Sequence, residues 1–281
     1  MVEGSCLCGT VRWRVSAEFA RMSHCHCSMC RKAHGAAFAT FAAVDADAFA
    51  YLAGEESLAV YQSSNGFERP FCRHCGSAAP HRSLDTKMAV PAGCLDGVPG
   101  ILPQQHIFAS SKASWHTIGD ELPRYDGYIN DMASPAALRE ALPPAKAGVA
   151  RGSCLCGAVS YELDLPFSAI YNCHCSRCRK ARAAAHTTNG RVSTDAFRFI
   201  KGADQLTTFT LPGAQFFAQA FCTTCGSGMP RVDSARGVVS VPLGSLDDDP
   251  GADKMEHIFV GSKASWYDIC DGLVQFEERS G

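Results

Sequence analysis

A chain of 281 residues, 46% hydrophobic and 19% charged, has enough apolar content for a buried core, which excludes a disordered polymer. Its net charge of −2 lacks the basic excess that nucleic-acid binding uses, and no stretch approaches the 18 apolar residues of a membrane span. The start, "MVEGSCLCGTVRWRV", has no apolar secretory core, so the expected setting is the cytoplasm, where clustered cysteines read as metal ligands before disulfides.

The first elements combine a cysteine pair with a strand. "GSCLCG" at 4–9 carries Cys6 and Cys8, and "VRWRV" at 11–15 alternates Val11, Trp13 and Val15 against Arg12 and Arg14. "HCHCSMCRK" at 24–32 follows with Cys25, Cys27 and Cys30. "FATFAAV" and "LAVYQ" are short β-rich runs, and "FCRHCGS" at 71–77 brings Cys72 and Cys75 at knuckle spacing. "HIFASSKASW" at 106–115 closes the unit.

The chain then repeats itself. "GSCLCG" and the C-x-C-x-x-C-R-K cluster recur at an offset of 148, "FCTTCGS" at 150 and "HIFVGSKASW" at 151. The order predicts two tandem copies, residues 1–129 and 151–281, each of ordinary domain size. Between them, 130–150 is rich in Ala and Pro, and Pro143-Pro144 would stop a short helix over 135–142, so it reads as a semi-rigid linker. In copy two "VSYEL", "FRFI", "LTTFT" and "VVSVPLG" are again short strands. No helical pattern is long enough to cover a parallel sheet, so the expectation is mainly β, sandwich or small barrel.

Each copy holds seven cysteines, which divide as four and three. Cys6 and Cys8 point the same way on an extended segment, and with Cys72 and Cys75 they form a four-thiolate site; Cys154, Cys156, Cys222 and Cys225 repeat it. Such closed sites are structural zinc sites. Cys25, Cys27 and Cys30, and in copy two Cys173, Cys175 and Cys178, offer three ligands and leave a fourth position for water or a thiol, the arrangement of catalytic zinc. Arg31 and Lys32 follow the first triad and offer charge to an anionic ligand. A histidine closing the triad is the alternative, from His24, His26 or His34 in copy one and His174 or His186 in copy two, though His26 and His174, between two cysteines of C-x-C, point away from the metal. Cys94 and Cys270 lack a counterpart in the other copy and read as core thiols.

The order G-x-C-x-C-G, C-H-C-x-x-C-R-K, F-C-x-x-C-G-S, G-x-L-D and H-I-F-x-x-S-K-x-x-W, present in both copies, resembles the glutathione-dependent formaldehyde-activating family, which includes the centromere protein V-like proteins. The resemblance implies two Mss-four-like zinc-binding β-sandwich domains, with up to four zinc ions per chain. It implies S-(hydroxymethyl)glutathione synthase activity, a carbon–sulfur lyase with glutathione as co-substrate and formaldehyde as its partner. The triad cysteines would then be catalytic, and Arg31, Lys32 and Arg69 would meet glutathione carboxylates. Arg69 becomes Gln219 in copy two, Gly35 becomes Ala183 and Phe38 becomes His186, with His186 a candidate for the fourth position of the second triad. Copy one is therefore expected to be the glutathione site. The expected partner is a small thiol, with no nucleic acid and no membrane. The competing function is a non-catalytic zinc module for a protein partner, or a thiol carrier or sensor.

Overall fold

The computed structural model describes residues 1–83, 85–129, 143–252 and 254–279. Most of the expected linker, 130–142 with its short helix, lies outside the described residues. The chain is mainly β, and its two halves repeat one plan. Each half opens with a three-stranded antiparallel sheet: Val2–Ser5, Arg12–Val15 and Phe49–Ala53 in copy one, Val149–Ser153, Ser160–Asp164 and Phe197–Lys201 in copy two. The alternation read from the sequence sets the faces: Trp13 and Val15 are buried while Arg12 and Arg14 are exposed and pair with Glu3. Tyr161 and Leu163 do the same in copy two.

Behind each small sheet stands a six-stranded one. In copy one its centre is Arg21–Cys25, flanked by antiparallel Ala39–Val44 and parallel Gln105–Ile107. In copy two the same places are held by Ala169–Cys173, Thr187–Ser193 and Glu256–Ile258. A hairpin, Leu58–Ser64 with Phe67–Cys72, carries the late cysteine pair; Leu206–Thr210 and Ala218–Cys222 are its counterpart.

Two short helices break the β pattern, α1 (Ser28–His34) and α2 (Ser176–Arg182). Each begins where a triad cysteine caps it, since Cys27 Sγ accepts from the Cys30 N–H and Cys175 Sγ from that of Cys178. Gly35 ends α1 in the left-handed conformation, whereas Ala183 ends α2 there at φ +52°, a strained position for a residue with a Cβ.

The helices join the halves. Lys32 of α1 is buried and its Nζ donates to Ser153 O (2.9 Å) and Ser245 O (3.1 Å) and pairs with Asp247 (2.7 Å), all in copy two. Lys180 of α2 reaches back to Ser5 Oγ (2.5 Å) and Asp96 in copy one. The reciprocity extends to glycines that permit close approach. A Cβ on Gly93 would lie 2.3 Å from the Ala184 amide, and one on Gly244 2.4 Å from the Ala36 amide. The copy-one core takes in Ala183, Ala185, Ala264 and Trp266 of copy two, and Tyr61 and Trp115 pack on the copy-two core. The two copies thus face each other across a pseudo-two-fold axis with interpenetrating cores. Among the described residues no helix is long and apolar enough to cross a membrane.

Candidate metal centres and their cavities

The four-cysteine sites form where the start of each copy meets its hairpin. The turn after Val2–Ser5 presents Cys6 and Cys8; Cys72 ends the hairpin strand and Cys75 sits on its knuckle, with the four sulfurs within 4.8 Å of one another. Gly76, at φ +73°, lets the knuckle turn so that its N–H bonds to Cys72 O at 2.8 Å. Sulfur separations of 3.4 Å (Cys6–Cys8) and 3.7 Å (Cys8–Cys72) approach the edge, about 3.8 Å, of a tetrahedron with metal–sulfur bonds of about 2.3 Å. Backbone and hydroxyl donors orient the sulfurs: Val11 N–H on Cys6 Sγ (3.3 Å) and Ser77 Oγ beside Cys75 Sγ (3.4 Å). Cys154, Cys156, Cys222 and Cys225 repeat this arrangement, with 3.4 Å and 3.8 Å separations. All sixteen cysteines are free thiols, so both donor sets fit a thiophilic metal.

The triads form at the strand-to-helix junctions. Cys25 ends its strand, Cys27 caps α1 and Cys30 lies in the first turn, which brings three sulfurs within 4.8 Å. Cys173, Cys175 and Cys178 do the same on α2, where Cys173 and Cys175 are 3.6 Å apart. Among the described residues no histidine joins either group. The histidines expected as a fourth ligand are committed elsewhere. His24 bonds to Thr40 Oγ1 (2.8 Å), His34 Nδ1 donates to Arg182 O (2.7 Å), and His186 packs on Phe38 and His174 between the copies.

His26 and His174 point away from the metal positions and into relays. Asp120 accepts from His106 Nε2–H (2.9 Å), which leaves His106 Nδ1 to accept from His26 Nε2–H (2.8 Å). Asp271, His257 and His174 repeat the chain at 3.0 and 2.8 Å. Burial, reinforced by neighbouring imidazoles and cations, pushes the His26 pKa down to about 3, so it stays neutral. These relays brace the C-x-C loops from behind. Their sequence signal was the fourteen-residue spacing from His106 to Asp120, repeated from His257 to Asp271.

The cations were partly misplaced by the sequence reading. Arg69 does reach the first triad: its Nη1 lies 3.8 Å and its Nη2 4.0 Å from Cys30 Sγ, with Nε on Ser63 Oγ (3.0 Å) and its guanidinium over Phe67. Burial alone would lower its pKa, but the charge of Cys30 and Cys27 outweighs this and raises it. Cys30 in turn is held well below the usual thiol range, first by hydrogen bonds from Cys25 and Cys27, then by Arg69 and His34. Lys32, by contrast, is drawn into the interface between the copies by Asp247, Ser153 and the Ser245 carbonyl. Arg31 is not among the residues lining the cavity beside the triad.

A further correction concerns copy two. Gln219 does replace Arg69 and donates to Cys75 O of copy one (2.6 Å). Yet Arg182 stands where copy one has His34, and the charge of Cys178 acts on it. Each triad therefore has a buried guanidinium near its third cysteine, delivered by the hairpin in copy one and by the helix in copy two. Comparing position 69 with 219 alone hid the exchange. Cys94 is buried as expected, but Cys270 is exposed, not a core thiol.

Each triad opens on a cavity. In copy one it measures about 330 Å³, with Met29, Phe41, Phe67, Phe108 and Tyr128 around Arg69. In copy two it measures about 950 Å³ and is far more polar. Both volumes suit small-molecule sites of about 300–1,000 Å³.

The family model described as glutathione-dependent formaldehyde-activating enzyme matches residues 1–111 and 149–262. A putative glutathione-dependent formaldehyde-activating enzyme of Halomonas elongata is 40% identical over 85 residues, 28% of this chain and 54% of that protein. An uncharacterized lyase of Schizosaccharomyces pombe is 32% identical over 75 residues, 27% of this chain and 53% of that protein. The chain spans about half the length of these curated relatives. A solved Rhodobacter sphaeroides protein is 29% identical, covering 36% of this chain and 97% of that one, at a TM-score of 0.30.

Proposed function

We propose that this chain, which belongs to the glutathione-dependent formaldehyde-activating family, is a zinc-dependent carbon–sulfur lyase acting on the adduct of glutathione and formaldehyde, with copy one as its glutathione site. One observation carries the reading: three sulfurs, Cys25, Cys27 and Cys30, converge beside a cavity in which Arg69 is the buried cation. The four-cysteine sites would hold zinc structurally and the triads would hold it with one position vacant. Zinc so held would stabilise a thiolate near neutral pH.

The chain's own residues account for the rest. Arg69 offers donors to an incoming sulfur or carboxylate, and its fork suits a carboxylate. Phe41, Phe67, Phe108 and Tyr128 line a largely apolar pocket that limits water and so strengthens the guanidinium's field. The sulfur lone pair forms the carbon–sulfur bond to formaldehyde as the C=O π pair moves onto oxygen, which takes up the proton that the thiol gave up. The reverse step cleaves the same bond. The Asp120–His106–His26 relay holds the C-x-C loop and with it the placing of two sulfurs.

Exchange spectroscopy with carbon-13 formaldehyde and glutathione tests this directly, by comparing the adduct-forming rate with and without protein. The zinc-loaded chain should accelerate exchange beyond the background. Arg69→Gln should lose roughly ten- to a hundredfold in glutathione affinity, the loss of a charge-assisted contact worth about 1.5–3 kcal/mol. Exchange at the background rate would rule out the lyase reading.

A further inference from the structure

The two cavities differ in more than size. Copy one's is lined by two arginines, Arg21 and Arg69, and one acid, Asp85, which is already paired to Arg21. Copy two's is lined by six arginines, Arg177, Arg182, Arg191, Arg231, Arg236 and Arg279, against Glu256 and Asp233, the latter paired to Arg231 at 3.3 Å. Aligned by the repeat, Arg177, Arg182, Arg191 and Arg231 stand where copy one has Met29, His34, Ala43 and His81. The cationic lining is thus a property of this copy and not of the shared plan.

Its arrangement points inward and outward at once. Arg182 is 92% buried by its 8% exposure, and its Nη1 has no hydrogen-bond partner among the described residues; the buried Gln219 Oε1 also lacks one. That Nη1 lies against Gly228 and away from the open space, so what Arg182 gives the cavity it lines is the field of its charge. On the open side, Arg236 and Arg279 come from distant segments and flank the exposed ring of Phe216, at 5.0 and 5.6 Å from its centroid. Several guanidiniums around one concave surface focus a positive potential, and their planar forks match phosphate and carboxylate oxygens.

The geometry points to the copy-two cavity as a distinct site for a thiol carrying several phosphate or carboxylate groups, with room for one larger than the copy-one ligand, its sulfur directed at Cys173, Cys175 and Cys178. The inference rests on the reading of the triads as thiol-receiving centres. Divided this way, the duplication yields one compact, mostly apolar thiol site and one wide anion-selective site within a single folded unit.

The test uses the full zinc-loaded chain with one triad disabled. Cys27→Ser leaves only the copy-two triad, and Cys175→Ser only that of copy one; serine keeps the helix-capping atom in both. Zinc content is measured for each. Calorimetric titration then compares pantetheine, a neutral thiol, with coenzyme A for phosphate and mercaptosuccinate for carboxylate. In Cys27→Ser, at least one anionic thiol should bind about tenfold or more tightly than pantetheine, with affinity falling as salt rises. Whichever of coenzyme A and mercaptosuccinate is the tighter assigns phosphate or carboxylate. Adding Arg177→Met, Arg191→Ala and Arg231→His, the copy-one residues, should remove that preference and leave pantetheine unchanged. In Cys175→Ser, whose compact cavity offers Arg69 for a single carboxylate, coenzyme A should bind no more tightly than pantetheine. Thiol binding without a charge preference, or a preference that survives the triple substitution, overturns this inference alone. Failure of every thiol, glutathione included, to bind either variant overturns the thiol reading with it.

Discussion

Lys32 and Lys180 occupy the same position of the repeated C-R-K motif, yet the structure gives them unequal work. Lys32 is 6% exposed and Asp247 12%, and two copy-two carbonyls complete the ammonium's shell. Lys180 is 21% exposed and its partner Asp96 44%. Replacing Lys32 by Met keeps the apolar stem but takes the ammonium from Asp247, which keeps the Ser153 hydroxyl (2.6 Å), and breaking a buried pair from one side costs about 3–5 kcal/mol. Lys180→Met breaks a pair whose acid is open to water, worth about 0–1 kcal/mol. For a chain of this size the difference corresponds to roughly 6–15 °C in melting temperature for Lys32→Met against a few degrees at most for Lys180→Met. Thermal denaturation of both variants at fixed free zinc measures it. Equal losses would show that the halves are not joined by the α1 contact as described.

Three further outcomes follow from the same structure. Cys72→Ser should cost more than about 5 kcal/mol, because metal binding is folding energy at a closed site, whereas Cys27→Ser, which keeps its helix cap, should cost less than about 2 kcal/mol; similar melting temperatures would contradict the distinction. Burial holds His81 and His186 neutral, each pushed down to about 3, while unfolded they titrate near 6.5. The unfolded chain therefore binds protons first, and stability falls as pH drops from about 6.5 toward 3, by roughly 1.4 kcal/mol per unit for each such histidine. His186→Phe, the copy-one residue, should flatten that slope by about one proton in the pH range near 5–6, and an unchanged slope would sink the assignment. Gly93→Ala should destabilise the chain by several-fold more than Gly97→Ala, since its new Cβ meets backbone of Ala184 at 2.3 Å while Gly97 has open space.

Much of this was legible in the sequence for a physical reason. Alternation places Trp13 and Tyr161 inward without help from tertiary structure, and the four-plus-three division of cysteines follows from spacing alone. Both groupings are recovered in space. The short helices were not foreseen because seven residues are too few for a periodic signal, and each is started by a cysteine acting as cap. Lys32 was misread because a charge beside a metal cluster looks like a ligand contact until the partner copy supplies Asp247. Arg182 has no counterpart signal at position 69's equivalent, Gln219, because the guanidinium changes elements, from the hairpin to the helix. Contacts across the pseudo-two-fold axis carry no signature in either copy read singly.

The central claim is that the triads are metal centres with a position kept for a ligand's sulfur. Zinc X-ray absorption on the full chain titrated with the selenol analogue of glutathione tests it most directly, because selenium scatters differently from cysteine sulfur. The account predicts four zinc ions per chain and a zinc–selenium path that appears on titration and disappears when Cys27→Ser and Cys175→Ser are combined. Two zinc ions per chain with empty triads, or a full complement whose shell never admits selenium, would contradict it.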